Sequence, residues 1–163
     1  MNVAALDELL SNNPVSAELF EHGARASVDS RSGEKIRALA AIVAEGISKG
    51  GDALDYSHVL LNAIEPLEDF HVRIMLWIRD LDAAEQARFD VPAKAGRLSI
   101  VALQRALPDM SDVAGPLISS LVGQGLVENV APGRLGGVGE SEMWCLTSLG
   151  QRILEYLTGE NAK

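Results

Sequence analysis

The clearest hydrophobic pattern in the chain is Ile36, Leu39, Ala40, Val43 and Ile47, which recur at i, i+3, i+4, i+7 and i+11 and predict an amphipathic helix. It stops at Lys49-Gly50-Gly51, a basic last turn followed by glycines able to form a left-handed cap. Asp52 follows and can cap a helix over residues 52–64 that buries Leu54, Leu61 and Ile64, with His58 near that face. Upstream, residues 2–10 form a short amphipathic stretch (Val3, Leu6, Leu9, Leu10) ended by the turn formers Ser11 to Pro14. Pro14 then opens a helix capped by Asn13, and residues 15–28 keep helical spacing with a modest stripe, Leu19 and Phe20. Gly23 weakens its middle.

From Pro66 the pattern changes. Leu67, Phe70, Ile74, Trp77 and Leu81 make one stripe, while Val72, Met75, Leu76 and Ile78 spread apolar surface around the helix, as expected of a central one at about 66–81. Residues 82–95 are polar and read as a helix end and loop. A second helix over 99–107 follows, then the turn Pro108-Asp109-Met110-Ser111, in which Asp109 or Ser111 can cap the next helix. Val113, Leu117, Ile118, Leu121 and Val122 stripe that third helix, Pro116 being tolerable within its first turn. Residues 126–130 and 143–147 read as strands around a glycine- and proline-rich tip, and a last helix over 151–157 is capped by Thr147 or Ser148. The expected fold is mainly α: a helical N-terminal half, 1–65, packed on a C-terminal winged helix-turn-helix, 66–163, with a β-hairpin wing and a shared helix at 66–81.

Composition supports a packed domain and narrows the partners. With 163 residues, 47% of them hydrophobic, the chain can bury a core. One cysteine excludes an internal disulfide, and with neither a leader nor a spanning apolar run the cytoplasm is the expected compartment, without a membrane partner. The net charge of −9 is uneven: residues 1–91 hold 8 Lys/Arg against 16 Asp/Glu, and residues 92–163 hold 6 against 7. Phosphate binding depends on Lys and Arg displacing counterions, so any DNA contact must be local and made by the second half.

The run Leu121-Val122-Gly123-Gln124-Gly125-Leu126-Val127, a loop, and then Trp144-Cys145-Leu146-Thr147-Ser148-Leu149-Gly150 resembles bacterial winged-helix proteins of the MarR and PadR kind over residues 98–157. In those families a leucine-small-glycine-leucine phrase ends the third helix, and a leucine-threonine-x-x-glycine phrase starts the last. The resemblance implies a recognition helix over 113–124, a wing carrying Arg134, and a dimeric DNA-binding transcription regulator. The helix departs from the DNA-reading pattern: Asp112, Ser119, Ser120 and Gln124 are its polar side chains, and none is cationic.

On the DNA reading, Ser111, Ser119, Ser120 and Gln124 face the duplex, while Arg134, Lys94, Arg97 and Arg105 contact phosphates; the alternative is scattered surface charge. The wing glycines lie between two strands with no Gly-Lys-Ser/Thr after them, which excludes a nucleotide cradle. His22, His58, His71 and Cys145 lack metal-ligand spacing, so no metal or cofactor is expected; His58 and His71 read as packing residues paired with a carboxylate such as Asp55 or with backbone, and Cys145 as core. No acid, base and nucleophile converge, so no enzyme is expected. The competing reading is a non-enzymatic winged-helix module that binds a protein partner through its acidic helical half, where Glu65, Glu68, Asp69, Asp80, Asp82 and Glu85 are either a docking face or solvated surface. An apolar patch exposed on residues 15–48 would favour that partner.

Overall fold

Asn13 and Pro14 punctuate the chain as their chemistry demands. The Asn13 Oδ1 accepts the Ser16 N–H at 3.2 Å, and Pro14 occupies the first helical position, where its missing N–H is no loss. A computed structural model describes residues 3–89, 100–129 and 144–160. It is mainly helical, with one two-stranded antiparallel sheet among the described residues, and its chain divides into two units: Met1–Pro66 with Glu155–Lys163, and Leu67–Leu154.

In the first unit, α1 (Val3–Asn12) packs on α2 (Pro14–Asp29), and α2, α3 (Gly33–Lys49) and α4 (Asp52–Ile64) pack on one another. Leu19, Ala26, Ala38, Leu39, Ile42, Leu54, Leu60, Leu61 and Ile64 form the core. Gly23 faces Val43, and Gly46 faces Leu19 and Ser57, so α2 and α3 run antiparallel and approach where a side chain is missing. Gly23 is therefore a packing position within an unbroken helix. Gly50 and Gly51 take φ of +64° and +52° after α3. Asp52 does not cap α4 as expected: Gly51 holds the cap position, and Asp52 lies in the first turn with Asp55, where a carboxylate favours the dipole. Ile36 and Ala40 are exposed, not core, because the buried stripe turns through Ala38 and Ile42.

In the second unit the long helix α5 is Asp69–Phe89, not 66–81. It starts later because the Glu68 carbonyl takes the first amides, from His71 at 2.9 Å and Val72 at 3.3 Å, while Glu68 N–H donates to His71 Nδ1 at 3.1 Å. It runs on through residues 82–89 because Ala, Glu, Gln and Arg propagate a helix without an apolar stripe. Ile74, Met75 and Ile78 are buried; Trp77 is half-buried and Phe70 exposed, its ring 5.9 Å from the Arg73 guanidinium. α6 (Ile100–Ala106), a single 3-10 turn (Pro108–Met110) and α7 (Ala114–Gly123) follow, with α7 packed on α5 and α6. β1 (Val127–Asn129) pairs with β2 (Trp144–Leu146), Glu128 opposite Cys145, and α8 (Ser148–Thr158) is the last element. The end of α8, from Glu155, belongs to the first unit, where the Tyr156 hydroxyl donates to Glu45.

Candidate functional site

The local structure that positions α7 in the second unit is the clasp that ends it. Gly125 N–H donates to the Val122 carbonyl and Leu126 N–H to the Leu121 carbonyl, both at 2.9 Å, with Gly125 at φ +69°, a left-handed cap with buried Leu121 and Leu126 behind it. Thr147 closes it from the other strand: its N–H donates to the Leu126 carbonyl at 3.0 Å and its hydroxyl to the Gly125 carbonyl at 2.7 Å. The same oxygen accepts Gly150 N–H at 3.0 Å, capping α8. A Cβ on Gly150 would meet the Leu126 carbonyl well inside contact distance. The leucine-glycine-leucine and leucine-threonine-x-x-glycine phrases are thus two halves of one fastening, which fixes α7.

What α7 then presents is uncharged. Ala114, Ile118 and Leu121 face inward; Pro116, Ser119 and Gly123 are exposed, with Val113 44% and Val122 38% accessible. Ser120 Oγ accepts the Gln124 side-chain amide at 3.0 Å, so these two are engaged with each other. Ser111 lies before the helix, its carbonyl accepting the Gln104 amide and its hydroxyl donating to Asp112 at 3.3 Å. Neither Asp109 nor Ser111 caps α7; Val113 holds that position with no side-chain bond. Asp109 is taken instead by Arg73, in a bidentate pair at 2.7 and 3.2 Å that lowers the Asp109 carboxyl below its ordinary value, chiefly through the hydrogen bond and then through charge.

Of the expected phosphate contacts, Arg105 is exposed in the last turn of α6 without a hydrogen bond or ion pair among the described residues, while Lys94, Arg97 and Arg134 lie outside them. Arg79 pairs with Asp80 at 3.1 Å. The carboxylate-paired histidine is His22, 3.2 Å from Glu65, with the His58 ring stacked on it at 6.0 Å; His58 itself has no bond to Asp55. His71 is buried and uses backbone. Cys145 is buried and donates to Glu128 at 3.6 Å. No group of side chains that could hold a metal ion occurs among the described residues, and none of their helices is long and apolar enough to cross a membrane.

A second feature escaped the sequence reading. In the first unit, Leu6, Phe20, Gly23, Ala24, Ala40 and Ala44 help line an apolar hollow of about 300 Å³ on the outer side of α2 and α3. The signal was there as the rows 20, 24, 28 and 36, 40, 44, 48, each spaced by four, of which Ile36 and Ala40 read as core. Comparisons with protein families, with curated proteins and with solved structures each find no match to the chain.

Proposed function

We propose that the protein is a non-enzymatic interaction module in which residues 67–154 form a winged helix-turn-helix that meets another protein instead of reading duplex DNA. The observation that carries this reading is the solvent face of α7, where Val113, Pro116, Ser119 and Val122 stand without a single Lys or Arg. A base-reading helix needs donors for base edges and cations for phosphates, whereas protein contacts use exposed apolar side chains. The order α6, turn, α7, β1, β2 and the exposed Arg105 favour the second reading, a dimeric DNA-binding regulator.

Fluorescence anisotropy with labelled duplex DNA at low ionic strength separates the two. No saturable binding is expected; binding that falls steeply with salt and weakens in Arg134→Ala would establish the regulator and overturn the module. A photo-crosslinking residue placed at Val122, in cells that naturally make the protein, should give protease-sensitive adducts; nuclease-sensitive adducts would reverse the conclusion.

A further inference from the structure

We infer that the outer face of the α2–α3 hairpin is a self-association surface that takes the same face of a second copy of this chain. This rests on the first unit alone and is independent of what α7 binds. Along α2 the outward row is Phe20, Ala24 and Val28; along α3 it is Ile36, Ala40, Ala44 and Ser48. All seven are exposed, Val28 at 85% and Phe20 and Ile36 at 39% each, although the same helices bury a full core on their other side. The Ser27 and Ser48 hydroxyls at the hollow donate to carbonyls of their own helices, Gly23 and Glu45, so the surface asks a partner for no polar group.

The relief has two unlike ends. Because the hairpin is antiparallel, Val28 and Ile36 project at the end near the α2–α3 link, while the hollow floored by Gly23, Ala24, Ala40 and Ala44 opens toward the other end, with Phe20 and Leu6 as walls. A two-fold axis through the middle of the stripe, near Ala24 and Ala40, brings the projections of each copy over the hollow of the other. That exchange is what an isologous contact requires, and rows spaced by four interdigitate in helix packing.

Charge selects the occupant. The helical unit holds 6 Lys/Arg against 12 Asp/Glu, so two copies repel each other wherever free carboxylates meet. The stripe itself carries no charge, and three of the cations flanking it are neutralised within their own helices: Arg25 by Glu21 at 2.6 Å, Arg37 by Glu34 at 3.3 Å, Lys49 by Glu45 at 2.6 Å; Arg31, in the α2–α3 link, is exposed with no ion pair among the described residues. Glu18 and Asp29 stand four before and seven after His22, hence on the side of α2 that meets Glu65. A basic partner would find Glu18 and Asp29 of α2 away from this face and Glu21, Glu34 and Glu45 already paired; a like-charged copy finds here an uncharged apolar stripe.

Sedimentation velocity of the full chain across the micromolar range tests this. Wild type should pass from monomer to dimer, and Ala40→Glu should raise the dissociation constant by about a hundredfold, the penalty of like charges brought together at a contact, with an unchanged circular dichroism spectrum because position 40 is exposed. Val28→Asp, at a still more exposed position, should act the same way. Ala40→Glu and Ala40→Lys chains, each monomeric alone, should form a heterodimer when mixed, which only contact between copies of this stripe explains. A wild type that stays monomeric throughout, a dimer indifferent to all three variants, or a monomer whose stripe is taken by a different protein would each overturn the inference.

Discussion

In the helical unit, Gly23 and Gly46 lie against the ends of neighbouring side chains, whereas in the 67–154 unit Gly150 lies against a backbone carbonyl. A side chain confronted with an extra methyl group can change rotamer or lean away at modest cost. A carbonyl cannot, least of all that of Leu126, which already accepts the Thr147 N–H and is buried between a left-handed glycine and the first residue of β1. The helical unit can therefore adjust at the Leu19 and Val43 methyls and the Ser57 hydroxyl, though not at the Ser57 Cβ, whereas the clasp of the other unit meets backbone directly.

The sharpest way to break that contrast is Gly150→Ala, which should destabilise the second unit by about 3 kcal/mol or more in urea unfolding; a loss under 1 kcal/mol would mean the clasp yields like side-chain packing. Gly46→Ala comes next. Its Cβ would lie 2.5 Å from Ser57 Oγ, 2.8 Å from Ser57 Cβ and 2.7 Å from a Leu19 methyl, two helices at once, and about 1–3 kcal/mol should be lost. Gly23→Ala presses mainly on one Val43 methyl and gains up to about 1 kcal/mol of helix propensity, so it should lose less than Gly46→Ala. Thr147→Val keeps the shape of the clasp but removes the hydroxyl shared by Gly125 and Gly150, for a loss of about 1–2 kcal/mol.

The smallest effect belongs to the exposed Arg73–Asp109 pair. The Asp109 pKa is lowered in the folded state, first by the hydrogen bond from Arg73, so its contribution is full above the ordinary aspartate range and is lost as pH falls through the lowered value. Arg73→Gln should lower the neutral plateau of a stability-against-pH profile slightly and leave the stability below the lowered value unmoved, so that the acid limb flattens by the same small amount.

Where a residue acts within one turn of itself, the sequence was readable. Asn13-Pro14 declares a cap and a first turn, and Leu-Thr-x-x-Gly declares a strand end, a cap and a close approach. Legibility failed where two physical causes share one residue type. Alanine at 40 and 44 has helical spacing whether it is core or an outward row, and the polar residues 82–89 look like loop although their propensities carry α5 onward. Asp52 and Asp109 are competent caps that other uses claimed, a dipole position and an arginine. For the candidate site, the absence of cations on α7 was visible in the sequence, whereas the apolar character of its outward face depended on which valines the packing left outside.

The bond between Tyr156 and Glu45 also carries a consequence for biosynthesis. It joins positions 111 residues apart in a unit otherwise built from the first 66 residues, so the helical unit must wait, incomplete, while the whole intervening segment is translated. During that interval Glu45 of α3 lacks the hydroxyl hydrogen bond it will accept from Tyr156, so a nascent chain halted before Tyr156 presents that carboxylate to a ribosome-associated chaperone or protease.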